Sequence, residues 1–367
     1  MKIYYYSGAT LPSQAAKSVH VMKMCAAWGK AGHDVTLFAK GNDGMIDDLY
    51  PHYGVENCFK ISRSINIKIR IVSGVLRVLL NHFNSLRFGA PDLIYGRDIL
   101  AVTTAPFSKK IPRLYESHQL PHSIIHKTLI RFFPKIVAIS QGLREDILRL
   151  DQKRADSSIL IAHDGANIQK SSIKNKKLNK NLEKTQIGYA GSLQKGKGAH
   201  FLLGLAEKAP TAHFHIFGGQ RHEIQHLKSL NPPQNISVYG HIPHGDIHSH
   251  LIACDILVAP YLNRATIRTG QDISRWISPM KLFEYMATQK PIISSDLPVI
   301  REILSHNENA LLVKPEDMGA WLKVINTLQN DTDLGEKLGK QALDDLTNHY
   351  TWEKRAEKIL NFCTQSS

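Results

Sequence analysis

Residues 2–39 have the sequence KIYYYSGATLPSQAAKSVHVMKMCAAWGKAGHDVTLFA, which contains one complete β-α-β unit. The β-rich run Lys2–Tyr6 predicts a strand that ends at a Ser-Gly pair. Apolar residues then recur at helical spacing over Ser18–Lys30, and Gly32 follows this run as a helix terminator. A second strand is predicted at Asp34–Ala39. Because two strands joined by a helix usually pair in parallel, this stretch predicts an α/β fold.

The same alternation of strands and helices continues along the chain. The further strands predicted in the first half are Asp92–Tyr95, Arg113–Glu116 and Lys135–Ile139. The elements predicted in the second half are strands at Gln186–Ala190, Ala212–Phe217, Ile256–Ala259 and Ile292–Ser295, with helices at Ala199–Ala209 and Met280–Ala287. A last helix is predicted at Thr351–Phe362. This order predicts two Rossmann-like halves, each a doubly wound parallel sheet.

The boundary between the halves is predicted at a Lys/Asn-rich stretch, IQKSSIKNKKLNKNLEKTQ, which lacks aromatic residues. Its composition is typical of a solvated tether. The predicted organisation is an N-terminal domain at 1–167, a linker at 168–186 and a C-terminal domain at 187–350. Residues 351–367 are expected to return as a helix to the first domain.

Composition and charge limit the classes of function. At about 150 residues per domain, 367 residues suffice for two domains. The net charge of +14 favours a polyanionic partner, but no nucleic-acid-binding motif is present, so no nucleic acid is expected. Four scattered cysteines without a CxxC pair argue against a zinc site or a disulfide framework. Without a recognisable signal peptide or membrane span, the chain is expected in the cytoplasm or on the inner membrane face.

A glycine-rich turn, GSLQKGKG at 191–198, lies between a predicted strand and a predicted helix. It fits G-x4-G-K, but Gly198 stands where a P-loop needs Ser or Thr, which disfavours a P-loop. Backbone N–H groups, a helix start and the charge of Lys197 together suit a diphosphate. The alternative is a tight turn with a solvated lysine.

A second candidate segment is SPMKLFEYMA at 278–287. Ser278 is predicted to be the N-cap of a helix and Pro279 its first residue. Glu284 would then lie about 9 Å along the helix from the N-cap, where it could bind ribose hydroxyls. The alternative is a solvated glutamate without a ligand.

The Asp331 and Asp333 pair fits a helix cap better than a metal site.

Together these segments resemble the donor-binding half of retaining glycosyltransferases of family 4. The similar stretches are GYAGSLQKGKG, FHIFGG, ACDILVAPY and SPMKLFEYMATQKPIISSDLPVIREIL. In the first half PSQAAKSVHVMKMCAAWGKAGHDVTLF, PDLIYGR, LYESHQ, VAISQGLREDI and IAHDGAN follow in the order that the family uses. The ordered series spans nearly the whole chain.

The resemblance implies the GT-B fold, in which two Rossmann-like domains face a cleft. It also implies chemistry without metal or cofactor, and a UDP- or GDP-sugar held mainly by the C-terminal domain. Three catalytic residues carry over: Lys197 to the pyrophosphate, Glu284 to the ribose and His118 to the donor sugar. The other implied donor-binding residues are Gly191, Ser192, Gly218, Ser278, Pro279, Met280 and Lys281. The implied loop of the first domain near donor or acceptor contributes Gly8, Ala15 and Ala16.

The chain departs from the family pattern at three places. Trp276 stands where the family has an acid eight positions before Glu284, and Asp272 is the candidate substitute. Ser192 replaces an arginine, which leaves the pyrophosphate charge to Lys197 and to Arg264, Arg268 or Arg275. Ala15 and Ala16 replace a Gly-Gly pair, so the backbone there is expected to approach the donor less closely.

The expected function is transfer of a sugar to a glycan or lipid-linked glycan in bacterial surface polysaccharide synthesis, such as capsule or O-antigen. The alternatives are a non-catalytic sugar-nucleotide-binding or scaffold subunit and a GT-B nucleotide-sugar epimerase.

An amphipathic basic segment from Ile69 to Phe88 is predicted to be a core-facing crossover helix. Alternatively, the preceding Ile65–Ile71 stretch, with Lys68 and Arg70, docks on an anionic membrane.

Overall fold

The computed structural model describes residues 1–365 except 42–48, 65–72, 121–122, 169–177, 179–182, 195 and 265–271, with backbone only at 73 and 74. The chain forms two compact units. The N-terminal unit comprises Met1–Asp164 and Trp352–Ser367, and the C-terminal unit comprises Gly165–Thr351.

The N-terminal unit contains a parallel sheet with helices between its strands. The strands are β1 (Lys2–Leu11), β2 (Asp34–Gly41), β3 (Lys60–Ser64), β4 (Leu93–Gly96), β5 (Arg113–Ser117), β6 (Ile136–Ala138) and β7 (Ile159–Ile161). The helices are α1 (Ala16–Lys30), α2 (Leu49–His52), α3 (Ser73–Leu86), α4 (Ile99–Thr103), α5 (Ile124–Leu129) and α6 (Gln141–Leu150). Short 3₁₀ turns lie at Ile130–Phe132 and Asp156–Ser158. The strand order is β3-β2-β1-β4-β5-β6-β7, and Tyr4, Tyr5 and Tyr6 of β1 are fully buried at its centre.

The C-terminal unit repeats this architecture with six parallel strands. They are β8 (Thr185–Ala190), β9 (Ala212–Phe217), β10 (Ile236–Gly240), β11 (Ile256–Ala259), β12 (Ile292–Ser295) and β13 (Leu311–Val313), in the order β10-β9-β8-β11-β12-β13. The helices are α7 (Ala199–Lys208), α8 (Arg221–Ser229), α9 (Ile247–Leu251), α10 (Met280–Met286), α11 (Pro298–Arg301), α12 (Met318–Asn330) and α13 (Thr332–Asp345), followed by a π-helical turn at Leu346–Tyr350. Asp331 accepts a hydrogen bond from the Leu334 N–H and caps α13, which confirms the predicted cap.

The last helix, α14 (Trp352–Thr364), packs on α1 of the N-terminal unit. Trp28 Nε1 donates to the Ala356 carbonyl at 3.2 Å, and the Arg355 Nε donates to the His163 carbonyl at 2.8 Å. The predicted return of the C-terminal helix is therefore confirmed.

The units divide at Asp164 and Gly165, three residues before the predicted end of the first domain. Much of the predicted linker, at 169–177 and 179–182, lies outside the described residues. Leu178 within it is buried in the core of the C-terminal unit, and β8 begins at Thr185. The interpretation of the whole stretch as a solvated tether is therefore wrong at Leu178 and at its final two residues.

Helix α3 faces the opposite way from the prediction. Its apolar side chains Val75, Leu79, Phe83 and Leu86 are between 53% and 60% exposed, whereas Asn81, His82 and Ser85 are buried. Two polar contacts between α3 and the region of α4 explain this orientation. His82 Nε2 hydrogen-bonds the Ala101 carbonyl at 2.9 Å, and Arg77 pairs with Asp98 at 2.6 Å. These bonds hold His82 and Arg77 against α4, Val78 is buried as well, and the four exposed apolar side chains remain on the surface.

Each sheet has one point at which the strand order reverses. It lies between β1 and β4 in the N-terminal unit and between β8 and β11 in the C-terminal unit. In open α/β sheets, ligands bind outside the carboxyl ends of the strands at this switch point. The two switch points are therefore the places to look for functional side chains.

Candidate active site

The switch point of the C-terminal unit is shaped by glycines at the strand ends. Gly191 follows β8 with φ +143°, and Gly218 follows β9 with φ +123°. A Cβ on Gly218 would lie 2.1 Å from the Gly191 carbonyl oxygen, so this close approach of the two strand ends requires glycine.

The predicted glycine-rich turn connects β8 to α7. Gly198, the N-cap of α7, has φ +86°, and a Cβ there would lie 1.9 Å from the Pro260 carbonyl oxygen. The Tyr189 hydroxyl donates to the Ser192 carbonyl at 2.7 Å and lies 3.2 Å from the Lys197 carbonyl oxygen. Backbone contacts and one tyrosine therefore hold the turn in place, and residue 195 lies outside the described residues.

Two lysines from different elements meet at this switch point. Lys281 Nζ lies 3.9 Å from the ring centroid of Tyr189 and 5.1 Å from that of Tyr261. Lys197 Nζ lies 5.4 Å from the Tyr261 ring centroid. A Cβ on Gly191 would lie 2.8 Å from Lys281 Nζ, so the missing side chain makes room for the ammonium group. The aromatic faces stabilise two cations in one place.

The electrostatics of the two lysines favour an anionic ligand. Lys281 Nζ is buried and has no hydrogen-bond acceptor among the described residues. Burial and the charge of Lys197 hold the pKa of Lys281 well below its usual range. Burial also lowers the pKa of Lys197. A buried ammonium without a partner is costly, so a bound diphosphate would relieve this cost.

Glu284 lies on α10 one turn after Lys281. Its Oε1 is 3.1 Å from Nδ1 of His244, which precedes α9, and the Glu284 side chain is 21% exposed. The carboxylate is thus accessible, and its partner in the ligand-free chain is a side chain that a ligand could displace.

The start of α10 differs from the prediction. The helix begins at Met280 with Pro279 as its N-cap, and no side chain caps it. Ser278 is buried before the helix rather than at its cap. The φ of −80° and ψ of 100° at Pro279 lie outside the helix, so the first turn starts one residue later than predicted.

The structure gives local contacts for two of the substitutes predicted for the missing family residues, Asp272 and Arg264. Asp272 accepts from the Ser274 N–H at 2.9 Å and lies 3.6 Å from Arg264, whose side chain is 85% exposed. Arg275 is exposed, and Arg268 lies outside the described residues. The cation that the structure places beside Lys197 is Lys281. Lys281 lies inside the predicted SPMK segment, so the sequence did indicate this residue. From the sequence alone, its charge was not assigned to the pyrophosphate.

In the N-terminal unit, Glu116 at the end of β5 is the centre of a buried polar cluster. Its Oε1 lies 2.6 Å from His118 Nε2, 2.9 Å from His20 Nε2 and 2.8 Å from Arg355 Nη2. The Tyr95 hydroxyl donates to the other carboxylate oxygen. Burial alone would raise the pKa of Glu116, but Arg355, His20 and His118 outweigh it and hold that pKa well below its usual range.

The cluster fixes the orientation and charge of His118. A carboxylate can only accept, so the ring of His118 carries its hydrogen on Nε2 and leaves Nδ1 as an acceptor. Burial, with repulsion from Arg97, lowers the pKa of His118 to about 3, so the ring is neutral at physiological pH. His20 extends the network, since its Nδ1 lies 2.7 Å from Asp164 Oδ1.

Among the described residues, two histidines and the glutamate of this cluster have a spacing that could hold a metal ion. Ligand atoms of His20, Glu116 and His118 lie within 4.8 Å of one another. A cation bound there would face the permanent charge of Arg355, which already contacts Glu116 Oε1. These residues therefore fit a hydrogen-bond network better than a metal ion.

The three small residues predicted for the N-terminal loop lie at the other switch point. Gly8 is within β1, and Ala15 and Ala16 are exposed at the start of α1. Ala15 is the N-cap of that helix and provides no side-chain hydrogen bond.

Part of the chain is similar in sequence to a known protein family and to curated proteins. Residues 170–345 match the family model described as glycosyl transferases group 1. The chain is 30% identical to EpsD of Bacillus subtilis over 142 residues, 38% of this chain and 33% of EpsD. It is 27% identical over 141 residues to the alpha-galactosylglucosyldiacylglycerol synthase of Streptococcus pneumoniae, 36% of this chain and 34% of the synthase. The chain thus spans about a third of the length of each of these relatives.

Solved structures of another protein are similar to this chain over nearly its whole length. Anabaena HepE in complex with UDP is similar with a TM-score of 0.74 and 17% identity, over 98% of this chain and 99% of HepE. The complex of HepE with UDP-glucose is similar with a TM-score of 0.73 and 17% identity, over 98% of both chains. With its two Rossmann-like units, the chain has the GT-B fold, which confirms the predicted fold class.

Proposed function

We propose that the chain is a retaining glycosyltransferase that transfers a sugar from a UDP- or GDP-sugar to a glycan or lipid-linked glycan acceptor in bacterial surface polysaccharide synthesis. The observation that carries this proposal is the pair of lysines, Lys197 and Lys281, held on tyrosine rings at the switch point. The family model over 170–345 supports it. UDP is favoured over GDP because the similar HepE structures hold UDP.

The chemistry follows from where charge develops. When the bond between sugar and phosphate breaks, negative charge builds on the leaving diphosphate, and Lys197 and Lys281 stabilise it without a metal ion. Fixed charges of this kind contribute about 10²- to 10³-fold each to a rate. Glu284 accepts from the ribose hydroxyls in place of His244. The acceptor hydroxyl attacks from the face that the diphosphate leaves, and its proton passes to the departing phosphate oxygen.

His118 acts on the sugar through Nδ1, which accepts a hydrogen bond from a sugar hydroxyl. Its other nitrogen is committed to Glu116 at 2.6 Å, so the ring cannot rotate without breaking that bond. Because the ring stays neutral, it contributes orientation and a hydrogen bond rather than a positive charge.

Replacing His118 by alanine is expected to lower kcat/KM by about 10²-fold, because the acceptor at Nδ1 is lost. The contribution of His118 is expected to be constant above about pH 5, since its pKa is about 3. The measurement is kcat/KM against pH for wild type, His118→Ala and His118→Gln, with the partly buried His126→Ala as the matched control. A His118→Ala enzyme as active as His126→Ala would contradict this role.

Removal of divalent metal is expected to leave the rate unchanged. The two lysines supply the charge that a metal ion would otherwise bring to the diphosphate. The measurement is initial rate after dialysis against EDTA, followed by addition of Mg²⁺ or Mn²⁺. A rate lost in EDTA and restored by metal would show that the lysines do not suffice.

The reaction itself is tested by incubating the chain with sugar nucleotides, with and without glycan acceptors, and analysing the products. Release of the nucleoside diphosphate together with an extended acceptor, with anomeric configuration kept, is expected. A changed sugar nucleotide without acceptor would support the epimerase instead. Binding without any turnover would support the scaffold subunit.

We also propose that the N-terminal unit docks on an anionic membrane surface. Among the described helices, none combines the length and apolar character needed to cross a bilayer. Three further apolar side chains of the unit, Ile124, Ile125 and Phe132, are at least 68% exposed at and after α5. Neither α3 nor the 123–132 segment contains an acidic residue, whereas Arg87, Lys127 and Arg131 flank the apolar side chains. Apolar groups bordered by cations suit a bilayer of anionic lipids.

The predicted docking stretch Ile65–Ile71, with Lys68 and Arg70, lies outside the described residues.

The double substitution Leu79→Glu and Phe83→Glu is expected to weaken binding to phosphatidylglycerol vesicles at least tenfold. Burying each of these side chains is worth about 1.5–3 kcal/mol, and the new charges repel the surface. The measurement is vesicle sedimentation at low and high salt. Leu230→Glu, at a 47% exposed leucine of the C-terminal unit, is the matched control. Equal binding by both variants would contradict the docking proposal.

A further inference from the structure

The switch point of the N-terminal unit carries a second cluster of cations, separate from the two lysines of the C-terminal unit. Lys40 lies at the end of β2, and Arg97 and Asp98 follow β4 directly. Lys17 comes from the first turn of α1 and Arg77 from α3. We call these four cations and Asp98 the β1/β4 cluster.

Gly8 marks the point on which the cluster converges. A Cβ on Gly8 would lie 3.1 Å from Lys17 Nζ, 3.6 Å from Asp98 Oδ2 and 3.9 Å from Arg77 Nη2. Gly8 is partly exposed in β1, where the pairing of β1 with β2 shifts register between Tyr6 and Thr10. A side chain at position 8 would crowd the Lys17 ammonium group, so glycine makes room for these charged groups.

The cluster has more positive charge than its own residues can neutralise. Arg77 Nη2 pairs with Asp98 Oδ2 at 2.6 Å, and Asp98 Oδ1 accepts from the Ala101 N–H at 3.2 Å. Asp98 is thus occupied by Arg77 and by the start of α4. The side chains of Lys17, Lys40 and Arg97 have no hydrogen-bond or ion-pair partner within the described part of the chain.

These cations are close enough to influence one another. Burial, with repulsion from Arg97, lowers the pKa of Lys17 to about 8 even though Asp98 acts in the opposite direction. Burial and the charge of Arg77 lower the pKa of Lys40. Arg97 also contributes to the lowered pKa of His118, so the cluster extends toward that ring. Like charges gathered in a partly buried place favour an anion.

We propose that the β1/β4 cluster binds a phosphate or diphosphate group of the acceptor, an inference that rests on the proposed function. Three unpaired cations match a group with two or three negative charges better than a single carboxylate. Arg97 can bind two oxygens of a phosphate at once, and Lys17 adds a point charge. The donor diphosphate has its own cations, Lys197 and Lys281, so this second site is left for the acceptor. The acceptor is therefore a phosphorylated glycan or a lipid-diphosphate-linked glycan.

The test is a calorimetric titration of the full chain with inorganic pyrophosphate and, separately, with UDP. The wild type is expected to bind two pyrophosphates and one UDP. Lys17→Met and Arg97→Met are each expected to weaken one pyrophosphate site at least tenfold and to leave UDP binding unchanged. Lys281→Met is expected to weaken the other pyrophosphate site together with UDP. Lys109→Met, at an exposed lysine of the same unit, is the matched control.

Competition then identifies the source of the anion. Farnesyl diphosphate is expected to displace pyrophosphate from the site that Lys17→Met weakens, and UDP is not. Pyrophosphate binding by Lys17→Met and Arg97→Met equal to that of Lys109→Met would overturn the site. Displacement by UDP but not by farnesyl diphosphate would overturn its assignment to the acceptor. Loss of UDP binding in Lys281→Met tests the proposed function independently of either result.

Discussion

Replacing Lys281 by methionine is expected to stabilise the ligand-free chain while lowering kcat/KM for the sugar donor by about 10²- to 10³-fold. Both effects have one cause. The Lys281 ammonium is buried without an acceptor among the described residues, so it destabilises the ligand-free fold and is available to a diphosphate. Methionine has similar length without the charge. A residue that only supports packing would not be expected to change stability and activity in opposite directions.

The pH dependence of this prediction follows from the lowered pKa of Lys281. Between that lowered value and the ordinary lysine pKa near 10.4, the unfolded chain binds more protons than the folded chain. The free energy of unfolding of the ligand-free chain therefore rises with pH across this window. A bound diphosphate keeps Lys281 protonated, so UDP binding takes up a proton there and weakens as pH rises.

The measurements are thermal unfolding and kcat/KM against pH for wild type, Lys281→Met and the exposed control Lys228→Met. UDP at 100 times its Kd is expected to stabilise wild type and the control by about 2.7 kcal/mol. It is expected to have little effect on Lys281→Met at the same concentration. A Lys281→Met chain that is less stable than wild type and still stabilised by UDP would contradict the role of Lys281.

The second large effect is expected at Arg355, where substitution by methionine should lower the free energy of unfolding of the N-terminal unit by about 3–5 kcal/mol. Arg355 lies 2.8 Å from Glu116, and both side chains are at most 2% exposed. Methionine would leave the Glu116 carboxylate buried without its permanent cation. Because Arg355 lies on α14, the same substitution would weaken the attachment of that helix to the unit.

The acid dependence of stability should change in the same variant. The pKa of Glu116 is held well below its usual range, so its contribution is fully present above the ordinary glutamate pKa near 4.3. That contribution is lost as pH falls from there toward the lowered value. In Arg355→Met the lowered pKa of Glu116 should rise, which would reduce this acid dependence.

Denaturant unfolding at pH 7 and pH 4 measures both effects. Lys354→Met, one residue earlier in α14 and exposed, is the matched control. The double variant Glu116→Gln with Arg355→Met should recover part of the loss, because it removes the unpaired charge. Equal stability of Arg355→Met and Lys354→Met would show that the pair does not stabilise the unit.

The fold was predictable from the sequence wherever a strand is central in its sheet. The runs predicted at Ala212–Phe217, Ile256–Ala259 and Ile292–Ser295 are the observed strands β9, β11 and β12. The four strands that were not predicted, β3, β7, β10 and β13, are the edges of the two sheets. Edge strands here are either short, such as β7 and β13, or half-buried, such as β10, and so give a weaker apolar signal.

The candidate site was predictable only as far as local motifs reach. Lys197 and Glu284 were predicted as site residues because each stands in a segment with its own pattern. The surroundings of Lys281 include the rings of Tyr189 and Tyr261, which come from other elements and which no local motif indicates. The pair of Glu116 and Arg355 joins residues 239 positions apart, and no local spacing could indicate it.

Helix α3 shows why amphipathicity alone can mislead. The apolar stripe was correctly placed on a helix, but the face buried against the unit is chosen by the Arg77 to Asp98 ion pair and the His82 hydrogen bond. Both partners lie at or beside α4, and four apolar side chains of the stripe stay exposed. A helix whose polar face is buried is instead suited to contact a bilayer.

The switch point of the C-terminal unit is proposed to bind a nucleoside diphosphate. The most direct test is calorimetric titration of the intact chain with UDP in EDTA, with GDP, ADP and CMP titrated in parallel. One UDP site per chain is expected, selective over the other nucleotides and weakened about tenfold or more in Glu284→Gln and Lys281→Met but not in Lys228→Met. Failure of every nucleotide to bind, or UDP binding equal in all four proteins, would contradict the proposed donor site.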